Sequence, residues 1–214
     1  MKHFLSILFF LAPLLAFGQK NINLGLGVLK IDFYKKPTLY FYADTLQKTP
    51  AGTVSVIQDK QGEYLIKNST QVASWFQPEG LWLDYSIFII RLDTSIGKWH
   101  KVVVNNESGR TMWTKSEPIK QVVKWPAFLL KETTAIEKLT EFNLDVKLAP
   151  SDGAKTIKKM EQADCFEVLE IKGEWMRVRT NETLECNESK RPIKSGWIRW
   201  RYNNRMTIGY GLTC

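Results

Sequence analysis

The chain has 214 residues, 44% of them hydrophobic, with 30 Lys and Arg against 22 Asp and Glu for a net charge of +8. That length suits one large or two small domains with ordinary cores. The basic surplus favours anionic polymers over long range, but no run of five or six bases occurs and no nucleic-acid reading motif is present, so nucleic acid is set aside as a partner. Eight Trp is a high count, and because Trp buries well and favours strands, small aromatic-pinned β domains fit better than helical bundles.

Residues 1–18 read as a secretory signal. Lys2 and His3 give a short basic start, Phe4 to Leu15 is almost wholly apolar, and Ala16-Phe17-Gly18 places small residues at the −3 and −1 positions before Gln19. The apolar run is too short for a comfortable membrane span, and no Cys lies near the cleavage point to carry a lipid. The expectation is a secreted or periplasmic protein without a transmembrane anchor, cleaved near Gly18-Gln19. Loss of Lys2 lowers the net charge by one, to +7.

Residues 19–116 are expected to form a first β module. Val28 to Tyr34, Pro37 to Tyr42 and Gly52 to Ile57 are strand formers, and Asp59 to Gly62 supplies a turn before the partner Tyr64-Leu65-Ile66-Lys67. Trp82 to Leu92 is the longest β-prone run. Lys98 to Val104 and Thr111 to Thr114 follow, joined by an Asn105 to Gly109 hairpin loop. Several short strands spaced by turns predict a small barrel or sandwich.

Between 117 and 140 the pattern changes. Pro118 and Pro126 interrupt it, Phe128-Leu129-Leu130 is a compact apolar patch, and Thr134-Ala135-Ile136-Glu137 has capping-box form, which predicts a helical turn or two. Too poor in Gly and Ser for a flexible linker, this stretch is expected to be an ordered junction packing one module on the other.

Residues 141–214 predict a second, more compact module. Leu144 to Leu148 alternates apolar with charged, Ala149 to Gly153 turns the chain, and Cys165 to Ile171 with Trp175 to Arg179 form a hairpin across Lys172-Gly173-Glu174. Ser195-Gly196 is read as a turn into a strand from Trp197 to Arg201. Tyr202 to Arg205 is read as a turn or 3₁₀ step, and Met206 to Leu212 as a terminal strand. Three cysteines, Cys165, Cys186 and Cys214, all fall here, and an exported chain permits one disulfide. The expected pair is Cys186 with Cys214, closing a loop of 28 residues for roughly 3–4 kcal/mol. Cys165 beside an apolar strand is expected to be a small buried hydrophobe.

The two modules echo each other. Gly97-Lys98-Trp99-His100-Lys101-Val102 is followed by Ser108-Gly109-Arg110-Thr111-Met112-Trp113, and Gly173-Glu174-Trp175-Met176-Arg177-Val178 by Ser195-Gly196-Trp197-Ile198-Arg199-Trp200. The glycines are expected in turns, and Val102 and Val178 in cores. In the second module Leu148-Ala149-Pro150, Val168-Leu169-Glu170-Ile171, Gly173, Trp175, Val178 and Gly196-Trp197-Ile198 resemble the bacterial SH3-like (SH3b) domains over about residues 144–214. The first module keeps Gly97, Trp99, Val102 and Trp113 but carries a longer insertion between Leu39 and Trp99. The resemblance implies an all-β fold of two small SH3-like barrels in tandem. It also implies a role as a targeting module for cell-wall peptides or glycans, without an attached hydrolase.

Catalytic signatures are few. The mature chain holds one histidine, His100, which on a strand shares a face with Val102 and Val104 and is read as structural. No zinc spacing, phosphate-cradling Gly loop or nucleophile elbow is present, so no metal, cofactor or catalytic residue is assigned. Asn68-Ser69-Thr70, Asn106-Glu107-Ser108, Asn181-Glu182-Thr183 and Asn187-Glu188-Ser189 match the N-glycosylation pattern and predict surface loops.

The candidate ligand-binding face is Trp175, Arg177 and Arg179 on one strand with Trp197, Arg199 and Arg201 on another, since alternate residues share a face. A Trp flanked by Arg can stack on a sugar or peptide and grip a carboxylate; the plainer reading is that these Trp cover the core and the Arg stems shield them. The functional expectation is a non-catalytic binding module for a cell-wall peptide or glycan, or for an envelope protein. The alternatives are an envelope hydrolase using carboxylates of the first module, and a purely structural protein in which Trp125 and Phe128 help dock a partner.

Overall fold

The computed structural model describes residues 23–181 and 192–213, and it is all-β. The expected signal, residues 1–18, and the expected Cys186–Cys214 pair lie outside the described residues. The strands of the first half are β1 (Gly27–Ile31), β2 (Thr38–Phe41), β3 (Gly52–Gln58), β4 (Tyr64–Ile66), β5 (Gly80–Trp82), β6 (Ile87–Ile96), β7 (Trp99–Asn105), β8 (Arg110–Lys115) and β9 (Lys120–Lys124). A short helix α1 (Ser69–Ala73) precedes β5, and α2 (Trp125–Lys131) follows β9. The second half supplies β10 (Ala135–Lys138), β11 (Asp145–Lys147), β12 (Thr156–Lys159), β13 (Phe166–Lys172), β14 (Trp175–Thr180), β15 (Gly196–Arg199), β16 (Arg201–Tyr202), β17 (Arg205–Met206) and β18 (Ile208–Gly211).

One antiparallel strand order occurs twice. In the first half it is β9-β1-β6-β7-β8, with β5 added to β6; in the second it is β18-β10-β13-β14-β15. The inserted strands also correspond in place: β11 pairs β15, and the β2-β3-β4 sheet reaches β8 through the bridge Tyr42↔Trp113. The central hairpins match residue for residue. Leu92↔Val102 and Thr94↔Lys101 flank a bulge in the first; Val168↔Val178 and Glu170↔Arg177 flank one in the second, 76 positions later in both strands (92 to 168, 102 to 178). Gly97 and Gly173 turn these hairpins at φ +55° and +61°, and a Cβ there would meet nothing within 4 Å. Conformation, not space, calls for glycine at both. Val102 and Val178 are fully buried.

The second half of the sequence echo is out of register. Trp113 faces Lys101 and Trp197 faces Arg177, so Trp113 corresponds to Trp197 and not to Trp200. Ser195-Gly196 is not a hairpin turn: Gly196 opens β15, where a Cβ would lie 2.3 Å from Val146 Cγ1. It is a close-approach glycine inside the sheet.

The stretch expected to be a junction is divided between the two sheets. Strand β9 completes the first sheet beside β1, and Pro126 starts α2 instead of interrupting the chain. Residues 135–138 are strand, not helix. The capping-box form at Thr134 to Glu137 gives way because Ile136 is wholly buried and pairs with both Phe166 and Tyr210, and such pairing outweighs local propensity. The terminal strand β18 pairs β10.

Two hydrophobic cores lie on opposite faces of the first large sheet. Leu29, Phe88, Ile90 and Leu92 enter a core with Leu39, Phe41, Val54 and Val102. Their neighbours Val28 and Ile89 point the other way, into a core with Trp125, Phe128, Ile136, Val178, Ile198 and Trp200. A sheet covered on both faces explains why the run from Ile87 to Ile90 is continuously apolar and not alternating. Trp125 and Phe128 are each 1% exposed, and Trp125 donates its indole N–H to the Leu24 carbonyl at 2.7 Å. They are core residues and offer no docking surface. Trp125 and Phe128 also pack on Tyr210 of β18, with ring centroids 6.1 and 5.5 Å away. No described helix is long and apolar enough to cross a membrane.

Cys165 is disulfide-bonded, which corrects the expectation of a free buried thiol. A cysteine bonds once, so a chain with three has room for one bridge, and here it includes Cys165.

Candidate functional site

Strands β14 and β15 bring four of the six predicted residues onto one patch. Trp175 pairs across the ladder with Arg199, and Arg177 with Trp197. The other two part from it. Arg179 lies further along β14 beside Glu167, with which it forms an ion pair. The expected continuous strand from Trp197 to Arg201 breaks at Trp200, which is 1% exposed and donates its indole N–H to the Gly173 carbonyl at 3.0 Å. Arg201 then stacks over Trp200, 5.4 Å from the ring centroid, on the separate hairpin β16–β17.

Each arginine already has a neighbour of opposite charge or an aromatic face. Arg177 Nε lies 3.2 Å from Glu170 Oε2 but out of line for a hydrogen bond. With Glu167 and Arg179 this makes a cross-strand charge ladder, the ordinary stabilising arrangement of antiparallel pairs. Arg199 differs. Its guanidinium lies 5.5 Å from the Trp175 ring and 4.9 Å from the Tyr202 ring, while Nη2 donates to Glu174 at 3.0 Å and Nη1 to both Asp152 carboxylate oxygens at 3.3 Å.

A cleft of about 260 Å³ opens beside Arg199, walled by Trp175, Tyr202, Phe142, Asp145, Lys147 and Asp152, among others. Trp175 is 9% exposed and Tyr202 49%, so the indole forms the base and the phenol the rim. Phe142, Asp145 and Asp152 are site residues that sequence reasoning missed. The turn Asn203-Asn204, in the stretch read as a turn or 3₁₀ step, brings Tyr202 to this cleft. Both asparagines have positive φ, +47° and +60°, the tight hairpin geometry that Asn tolerates, and the adjacent pair of asparagines is the signal that marks it.

The first half has a counterpart. The ladder pair Trp99↔Lys115 corresponds to Trp175↔Arg199, and Lys115 Nζ lies 5.5 Å from the Trp99 ring and 5.7 Å from the Tyr42 ring. Tyr42 and Trp99 meet edge to face at 5.2 Å.

His100 is 7% exposed and its Nδ1 lies 2.9 Å from Ser95 Oγ. Burial lowers its pKa from 6.5, and the Lys120 charge adds to the effect. Burial likewise lowers that of Lys120, opposed by Glu117; its ammonium is held by Glu117, Thr114 Oγ1 and the Lys115 carbonyl. No group of three or more His, Cys, Asp or Glu able to hold a metal occurs among the described residues. No family model matches the chain, and neither a curated protein nor a solved structure matches it.

Proposed function

We propose that the chain is an exported, non-catalytic binding protein of two SH3-like modules, and that it grips a cell-wall peptide or glycan, or an envelope protein, at the Trp175–Arg199–Tyr202 cleft. The observation that carries this reading is the seat of Arg199. Two aromatic faces flank a guanidinium whose carboxylate partners include Asp152, a side chain 72% exposed. An ion pair that open contributes at most about 1 kcal/mol, so an incoming carboxylate can take the place of Asp152 on Nη1. The half-exposed Tyr202 adds a stacking face. The repeated strand order and the Gly-x-Trp hairpins support the tandem SH3-like reading, and the apolar N-terminal run with its small-residue cleavage pattern supports export.

Co-sedimentation with purified peptidoglycan tests the wall-binding form of this reading. The intact chain is expected in the pellet, and Arg199→Ala with Tyr202→Ala in the supernatant. Absence of retention, or equal retention of the double variant, counts against the site.

A further inference from the structure

A second, larger cleft of about 450 Å³ lies where β18 meets the β5 region, lined by Glu79, Trp82, Tyr85, Tyr210, Gly211, Leu212 and Thr213. Both halves of the chain build it, and a buried hydrogen-bond network fixes its floor. Glu79 Oε2 accepts from Arg91 Nε and Asn106 Nδ2, each at 2.9 Å, and Oε1 accepts from Arg91 Nη2 at 3.0 Å and from the Tyr210 hydroxyl. The Glu79 and Arg91 side chains are 8% and 16% exposed. Burial, and then the Glu79 charge, push the Tyr210 phenol well above its usual 10.0, so it stays a neutral donor.

These contacts decide what the cleft can hold. Glu79 accepts four hydrogen bonds, about the capacity of a carboxylate, and its charge is matched by Arg91, so neither carboxylate nor guanidinium is left to pair with an ionic ligand. What faces solvent instead is aromatic: Trp82 is 49% exposed and Tyr85 59%. The remaining wall is Gly211, Leu212 and Thr213, where the Gly211 and Thr213 carbonyls accept from the Thr134 N–H and hydroxyl. Exposed amphipathic rings beside a floor with no ionic group to spare suit a ligand with an apolar face and neutral hydroxyls at its rim. A sugar ring has that chemistry.

We propose that this cleft binds a neutral saccharide, stacked on Trp82 and Tyr85. It lies apart from the Arg199 cleft and shares no lining residue with it.

Isothermal titration of the whole protein with a neutral N-acetylglucosamine tetramer tests it, with a neutral Gly-Pro repeat peptide as the second ligand. Saturable heat is expected with the sugar alone. Trp82→Ala and Tyr85→Ala are each expected to weaken binding about tenfold. Both side chains are substantially exposed, so thermal unfolding of these variants is expected to match the intact chain. No heat up to about 10 mM sugar, a weak-binding limit, overturns the proposal. So does equal affinity in both aromatic variants, or saturation by the peptide in place of the sugar.

Discussion

The two Trp–cation corners occupy the same ladder positions, yet only one opens onto a described cleft. At Trp99–Lys115 the adjoining phenol, Tyr42, is 8% exposed and bridges to Trp113 of the next strand, so it closes the corner from inside. At Trp175–Arg199 the adjoining phenol, Tyr202, rides on the tip of a separate hairpin and is 49% exposed. Arginine also differs from lysine here: Arg199 presents a planar fork to Asp152 and Glu174 while stacking, and Lys115 offers a point charge. A repeated strand frame thus holds a closed corner in one half and an open one in the other. What changes is which connecting segment delivers the tyrosine.

The largest expected effect concerns the contact between the halves. Glu79→Ala leaves the Arg91 guanidinium buried without its counter-charge, and frees the Tyr210 hydroxyl and Asn106 amide. A loss of about 3–5 kcal/mol is expected, read by urea unfolding; a change under about 1 kcal/mol would show that the halves do not depend on this network.

Tyr42→Ala against Tyr202→Ala tests the comparison itself. Removing the buried ring is expected to cost about 3 kcal/mol, and removing the exposed one under about 1 kcal/mol. Wall retention is expected to respond in the opposite sense, with Tyr202→Ala reducing it severalfold and Tyr42→Phe leaving it intact. Equal stability losses in the two alanine variants would erase the distinction.

The smallest effect is a pH dependence confined to the first half. His100 corresponds in the hairpin repeat to Met176, which does not titrate. Because burial lowers the folded-state pKa of His100 below 6.5, the unfolded chain binds its proton first as pH falls. This residue's contribution is therefore complete above about 6.5 and is lost as pH drops through the lower, folded value. Thermal midpoints of the intact chain and His100→Met, measured from pH 7 downward, are expected to converge; a constant gap would contradict the assignment. At the cysteines, peptide mapping under non-reducing conditions is expected to find Cys165 in the linked pair.

Much of the fold was legible because it follows from short-range pattern. The Gly-x-Trp hairpins, their turns and the buried valines could all be read from local spacing. The contribution of residues 135–138 could not. Their capping-box form is a local cue, while their strand pairing with residues 166 and 208–211 is set by partners distant in sequence. The offset of Trp113 against Trp197 was hidden for a related reason, since Ser-Gly served as a turn in one half and as a close-packed strand start in the other. Of the site, the Trp175–Arg199 pairing was within reach of strand alternation. Phe142 and Asp152 come from outside that hairpin, and Arg179 and Arg201 left the patch because a cross-strand glutamate and the break at Trp200 redirected them.

In the proposed function the Arg199 corner receives a ligand and the Lys115 corner does not. Quantitative co-sedimentation of Arg199→Ala and Lys115→Ala with peptidoglycan tests this most directly. The account predicts that Arg199→Ala falls to background while Lys115→Ala is retained like the intact chain. Retention of Arg199→Ala, or equal loss in both variants, would contradict it.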